Sequence, residues 1–178
     1  LSIGAITGSA AHVLIASVAE IQRLRPLLVL KVLEQSSDQL VVWLAERKID
    51  LMIGRFTDET QRTQFQYERL SSEPLQVVAG VHHPLRGVAD LDMAELSHWP
   101  WILYPASTAV RRVTDDIFGR NGLSLISGTV ETPSFLFALE MMQTTDMLSL
   151  QPKALVERYF NRGLLTQIPI ELPDRMPD

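Results

Sequence analysis

This sequence predicts an α/β protein of two successive units, each with a mostly parallel sheet flanked by helices. Three observations predict it. Short apolar runs alternate with segments whose apolar residues recur every three or four positions. The links between them are short, as in parallel strands joined by helical crossovers. The alternation is also played through twice, over residues 1–72 and again over 73–151.

"LSIGAI" (1–6) reads as a strand. "AAHVLIASVAEIQRLR" follows as a helix, with Ala11, Leu14, Val18, Ile21 and Leu24 on one face. Arg23 and Arg25 fall in its last turn, where cations suit the helix dipole, and Pro26 stops it. "LLVLKVLE" (27–34) reads as a buried strand. Ser36 opens a capping-box pattern with Gln39 three positions on, and the helix it starts leads into a strand at "IDLMIG" (49–54). A polar stretch, 57–64, separates this from "FQYERL" (65–70), whose alternation predicts an edge strand.

In the second unit "EPLQVVAGV" (73–81), "WILY" (101–104), "GTVE" (128–131) and "DMLSLQ" (146–151) read as strands. "TAVRRVTDDIFGRNG" reads as a helix closed by Gly122, and Thr132 is expected to cap a helix with Pro133 in its first position. One more helix and strand follow, "PKALVERYFNRG" and "LLTQI". They are assigned back to the first unit, giving lobes of 1–72 plus 152–178 and 73–151. "PDRMPD" is too polar for a core.

Composition narrows the function classes. The 178 residues carry a net charge of -5, and the lysines are only Lys31, Lys48 and Lys153. Duplex DNA is gripped by clustered cations that neutralise phosphates, so this polypeptide is not expected to bind DNA itself. Cysteine is absent, which excludes disulfide scaffolds and thiolate metal sites. No apolar run approaches the ~20 residues of a membrane span, and no basic-then-apolar leader opens the sequence, so a cytoplasmic location without membrane contact is expected.

Motifs point to binding rather than catalysis. "GAITGS" is not a phosphate loop: its glycine spacing is one residue short and no lysine follows. It does place Thr7, Gly8 and Ser9 between a strand and a helix, where free N–H groups and hydroxyls suit a polar ligand or simply cap the helix. Hydroxyl-bearing junctions recur at Ser107 and Thr108 and at Thr132 and Ser134. Ligands of open α/β sheets lie outside the carboxyl ends of the strands, where such junctions gather. Arg55 ends a strand, placed either to pair with an acidic ligand or to be solvated. His12, His82, His83 and His98 lack metal-ligand spacing and read as turn or surface residues. Ser9 with His12 does not make a triad, and neither Asp115 with Asp116 nor Glu59 makes an acid–base pair, so no catalytic residues, metal or cofactor are expected. Val42 and Trp43 widen the apolar arc of the second helix, fitting a partner surface or deep burial.

Taken in order, "LSIGAI", "SSDQLVVWLAERKIDLMIGR", "EPLQVVAGVHHPL", "DLDMAELSHWPWILYPAST" and "VETPSFLFALEMM" resemble the effector-binding domain of LysR-type transcriptional regulators over nearly the whole chain. "HHPL" is similar to the family's D/H-H-P-L turn. The resemblance implies a two-lobed, type 2 periplasmic-binding-protein-like fold and a small-molecule inducer held between lobes. It implies a homodimer or tetramer too, and DNA contact only through a winged helix-turn-helix domain preceding these residues. It carries the family's effector contacts onto Thr7, Gly8, Ser9, Arg55, Pro105, Ser107 and Thr132. The chain is accordingly expected to be a fragment, beginning where a linker from that domain ends. Where many members have a glycine-rich "GxGI", this chain has "QTTDMLSLQP". It looks more like the branch of regulators of galactose-binding protein and of protocatechuate catabolism, which implies a sugar or an aromatic acid as inducer. The competing readings are a transporter's solute-binding protein and a two-lobed enzyme domain.

Overall fold

The computed structural model describes residues 1–9, 14–56, 63–70, 73–124 and 128–172, with Ser9 described by its backbone alone. The start of the first predicted helix with His12, the acidic stretch with Glu59 and the polar tail lie outside the described residues. The chain divides into two compact units, the first up to residue 71 and the second from residue 72.

In the first unit the opening run forms β1 (Ser2–Ala5), followed by a single helical turn, α1 (Thr7–Ser9). Next come α2 (Ile15–Leu24), β2 (Lys31–Glu34), α3 (Ser37–Ala45) and β3 (Leu51–Ile53). β1 lies between the other two strands and is parallel to both, with Ile3 opposite Val32 on one side and Leu51 on the other. Ile3, Ala5 and Leu14 are buried together, and Leu40, Val41 and Ile49 are buried as well. Gly4 lets α3 come close: a Cβ there would stand 2.5 Å from Leu40 Cδ2 and 2.6 Å from Ile49 Cδ1.

Two expectations fail in this unit. Residues 27–34 are not a buried strand. β2 starts only at Lys31, and Leu27 is 95% and Val29 79% exposed. β2 is a sheet edge with a single strand partner, and the chain before it is still leaving a turn closed by Leu28 N–H to the Arg25 carbonyl. The alternation at 65–70 makes no strand either. It serves ring packing instead: Phe56 stacks on Phe65 at 6.3 Å and meets Tyr67 edge-on at 5.8 Å. The partner-surface reading of α3 gains Val42, which is 48% exposed.

The second unit contains β4 (Leu75–Gly80), α4 (Met93–Ser97), β5 (Trp101–Leu103), α5 (Ala109–Arg120), β6 (Val130–Glu131), α6 (Phe135–Thr144), β7 (Leu148–Pro152), α7 (Lys153–Phe160) and β8 (Leu165–Gln167). The strand order is β6-β5-β7-β4-β8; the first three are parallel, and β4 runs antiparallel to both its neighbours. This corrects the assignment of 152–178 to the first unit. β8 pairs with β4 through Ala79 opposite Thr166, and Lys153 N–H bonds the Pro74 carbonyl, so this stretch closes the second sheet.

One face of that sheet presents Val77, Ala79, Trp101, Leu103, Leu148 and Leu150 to a core shared with Leu96, Val110, Ile117 and Phe118. Trp101 anchors it, donating from Nε1 to the Leu96 carbonyl at 2.9 Å and meeting Phe118 edge-on. Against the other face lies α6, so close that a Cβ on Gly80 would fall 2.1 Å from the Met142 carbonyl oxygen. α4 has no counterpart in the sequence reading, although Asp92 accepts from Glu95 N–H at 2.8 Å in capping-box style. His83 stands in the expected turn but not at the surface. It is 2% exposed, its ring lies 4.6 Å from that of Trp99, and its Nδ1 accepts from Leu85 N–H. Among the described residues no helix is long and apolar enough to cross a membrane.

Candidate functional site

In the first unit the three parallel strands end side by side. The ladder runs on past them, with Ile6 N–H bonded to the Ile53 carbonyl and Gln35 N–H to the Ala5 carbonyl. Thr7, first residue of the helical turn, donates its hydroxyl to the Glu34 carboxylate at the end of β2. Gly8 is buried behind it. Ser36 holds the N-cap position of α3 without a side-chain capping bond, while Ser37 Oγ accepts Arg55 N–H at 3.2 Å. The ends of β1, β2 and β3 thus bring together Thr7, Glu34, Ser37 and Arg55. Glu34 was not singled out in the sequence, because a carboxylate closing an exposed edge strand has no signature of its own.

In the second unit the junctions after β5 and β6 are tied together. Thr132 N–H extends the β5–β6 ladder to the Leu103 carbonyl. Arg111, on α5, reaches both junctions: Nη1 donates to the Tyr104 carbonyl at 3.2 Å and to Glu131 Oε2 at 2.9 Å, while Nε bonds Asp115. These carboxylates, Asp115 foremost, hold the guanidinium proton more tightly than usual against the opposing effect of burial. Thr108 caps α5 by accepting from Arg111 N–H, and its hydroxyl donates to the Pro105 carbonyl. Ser107 beside it is exposed.

Thr132 is not the helix cap that the sequence led us to expect. Ser134 caps α6, accepting from Phe137 N–H at 3.2 Å, and Thr132 Oγ1 accepts from Ser134 N–H. Thr132 is still held by β6 pairing, and the rigid Pro133 carries the chain on to the cap.

A shallow recess lies here, lined by Tyr104, Thr132, Ser134, Phe135, Ser149 and Gln151 among others. Its polar groups are hydroxyls, a phenol and an amide, and its lining carries no charged side chain. Tyr104 Oη donates to Gln151 Oε1 at 2.7 Å, Gln151 Nε2 donates to Ser149 Oγ, and Ser149 Oγ donates to the Ile102 carbonyl. Of these residues only Thr132 was among the expected contacts. The signal for the others was present: Ser149 and Gln151 are polar at alternate positions of an apolar strand, on one face. Among the described residues no cluster of three or more metal-ligating side chains occurs.

The family model of the LysR substrate binding domain matches residues 1–177. This chain belongs to that family. Among related LysR proteins, the HTH-type transcriptional regulator GbpR of Azospirillum brasilense is 27% identical over 170 residues, which cover 95% of this chain and 50% of that protein. The uncharacterized HTH-type regulator YdcI of Escherichia coli (strain K12) is 25% identical over 168 residues, 94% of this chain and 54% of that one. The chain spans about half the length of the curated relatives it matches. Of solved structures, the QuiR effector-binding domain in complex with shikimate matches with a TM-score of 0.78 at 16% identity, covering 98% of this chain and 82% of that one. The regulatory domain of CcmR from Synechocystis PCC6803, in complex with 2-PG, matches with a TM-score of 0.76 at 17% identity, covering 94% and 79%. The predicted α/β class, with its periplasmic-binding-protein-like fold, is the fold of these LysR effector-binding domains.

Proposed function

We propose that this LysR substrate binding domain recognises a small-molecule effector through the strand-end junctions and, within a longer regulator, transmits that binding to a DNA-binding domain. The observation that carries the reading is the gathering of hydroxyl and amide groups at the carboxyl ends of parallel strands, Thr7 and Ser37 in one unit and Tyr104, Thr132 and Gln151 in the other. Membership of the LysR family and the transcriptional regulators among its relatives support it. The chemistry is binding without turnover. An effector that prefers one conformation shifts the population toward it, and the coupling free energy between effector and operator follows from that preference. The full regulator works in the cytoplasm as a homodimer or tetramer, and its effector is a sugar or an aromatic acid. Thr7, Gly8, Ser9, Arg55, Pro105, Ser107 and Thr132 are the proposed contacts.

A thermal-shift screen of sugars and aromatic acids tests this. A true effector at 100 times its dissociation constant adds about 2.7 kcal/mol of stability, well within detection. Calorimetry with the hit on Thr7→Val and Ser107→Ala is expected to show weakened binding by folded protein. Unchanged affinity in both variants refutes the contact assignment.

A further inference from the structure

Thr7 and Glu34 meet across the ends of two paired strands. Glu34 closes β2 opposite Ala5 of β1, and the ladder continues through Gln35 N–H to the Ala5 carbonyl. Just beyond Ala5, Thr7 Oγ1 donates to Glu34 Oε1 at 2.5 Å, the short length of an O–H···O⁻ bond. A threonine hydroxyl has one proton and two lone pairs. With the proton committed to Glu34, Thr7 Oγ1 has only lone pairs left to offer a ligand. Glu34 has only lone pairs as well, and its Oε2 makes no hydrogen bond among the described residues. Both groups are reachable from solvent, Glu34 being exposed and Thr7 half-buried.

We infer that Glu34 is a specificity-determining residue, which with Thr7 forms an acceptor corner for a hydroxyl of the effector and turns a carboxylate away. The inference rests on the effector-binding reading above. A ligand hydroxyl donates its proton to Glu34 Oε2 or to Thr7 Oγ1, and a bond to an ionised acceptor is about twice as strong as a neutral one. A carboxylate brings no proton to donate, and its charge has the same sign as that of Glu34. Acceptors would then face acceptors. Glu34 ends β2 and Arg55 follows β3, on opposite sides of β1. An effector carrying both groups therefore lies with its hydroxyl toward β2 and its carboxylate toward β3. This favours a hydroxylated effector, neutral or acidic, over a plain aromatic acid.

The test measures binding by the chain as it stands, wild type and Glu34→Gln. The four probes are D-galactose and myo-inositol as neutral polyols, shikimate as a hydroxylated acid and benzoate as an acid without hydroxyls. Thermal shift identifies the binders and calorimetry measures them. At least one hydroxylated probe is expected to bind wild type and to lose about tenfold or more in affinity for Glu34→Gln. Benzoate is expected to bind the variant at least as well as wild type, because the amide replaces a repelling charge with a donor. The free variant is expected to keep its Tm, since Glu34 is exposed. Unchanged affinity of the hydroxylated probe for Glu34→Gln overturns the inference. So does a loss shared by benzoate, which would leave Glu34 only a support for Thr7. If benzoate alone binds, the acceptor corner falls and effector binding stands. If none of the four binds, the acceptor corner falls as well, and the wider screen above decides effector binding.

Discussion

His83 illustrates how a single side chain is committed by its surroundings. Leu85 N–H donates to its Nδ1, so the ring proton resides on Nε2, which donates to the Asp146 carbonyl at 3.2 Å. Burial pushes the imidazole pKa below its ordinary 6.5, outweighing the bond and charge of Asp146, and nearby His82 adds to the depression. A protonated ring would have no lone pair left for Leu85 N–H. The folded state therefore resists a proton that the unfolded state accepts near pH 6.5, and stability falls as pH drops from 6.5 through the lower folded value. Urea unfolding at pH 7.5, 6.5 and 5.5 is expected to show this loss in wild type, and a shallower one in His83→Gln. Equal pH slopes in the two proteins contradict the assignment.

At the scale of elements, the helices that follow β5 and β6 are set by hydroxyl caps adjacent to the residues proposed as effector contacts. Thr108, not Ser107, holds the first turn of α5, and Ser134, not Thr132, holds that of α6. Thr108→Ala is expected to cost about 0.5–2 kcal/mol in chemical denaturation. Ser107→Ala, on an exposed residue, should stay within about 0.5 kcal/mol. The reverse ranking sinks the assignment of the cap. Arg111 adds a clamp across the same two junctions, its side chain 19% exposed with two carboxylates and the Tyr104 carbonyl around the guanidinium.

For the whole molecule, the main finding is where the last strand goes. β8 lies outside β4 in the second sheet, and α7 sits between β7 and β8 in sequence, so both belong to that sheet's hydrogen-bonded frame. Truncation after Pro152 should remove a ladder partner and the burial of Leu155, Val156 and Leu165. Hydrogen exchange is expected to show lost protection at Val77 and Ala79, which face β8, while Ile3, Gly4 and Ala5 keep theirs. Loss confined to β1 would instead return the C-terminal segment to the first unit.

Much of the fold was legible in the residues. The helical periodicity of 3.6, a proline stop after Arg25, and Gly122 with φ +65° closing α5 are short-range effects, so they place helices without knowledge of the rest. The ordered motifs likewise carried the LysR family. Long-range pairing was not legible. "LLVLKVLE" has the same apolar content in a central strand as at an edge, and "LLTQI" the same pattern in either sheet; only the partner across the hydrogen bonds distinguishes them. The acceptor corner at the strand ends depended on the same pairing. Thr7 and Glu34 lie 27 positions apart, and only the β1–β2 register makes them neighbours. The sequence by itself thus determined most of the elements, their order and the family. Tertiary structure alone decided which strands are edges, which unit closes with β8, and which carboxylate holds the Thr7 hydroxyl, because each depends on contacts between residues far apart in the chain.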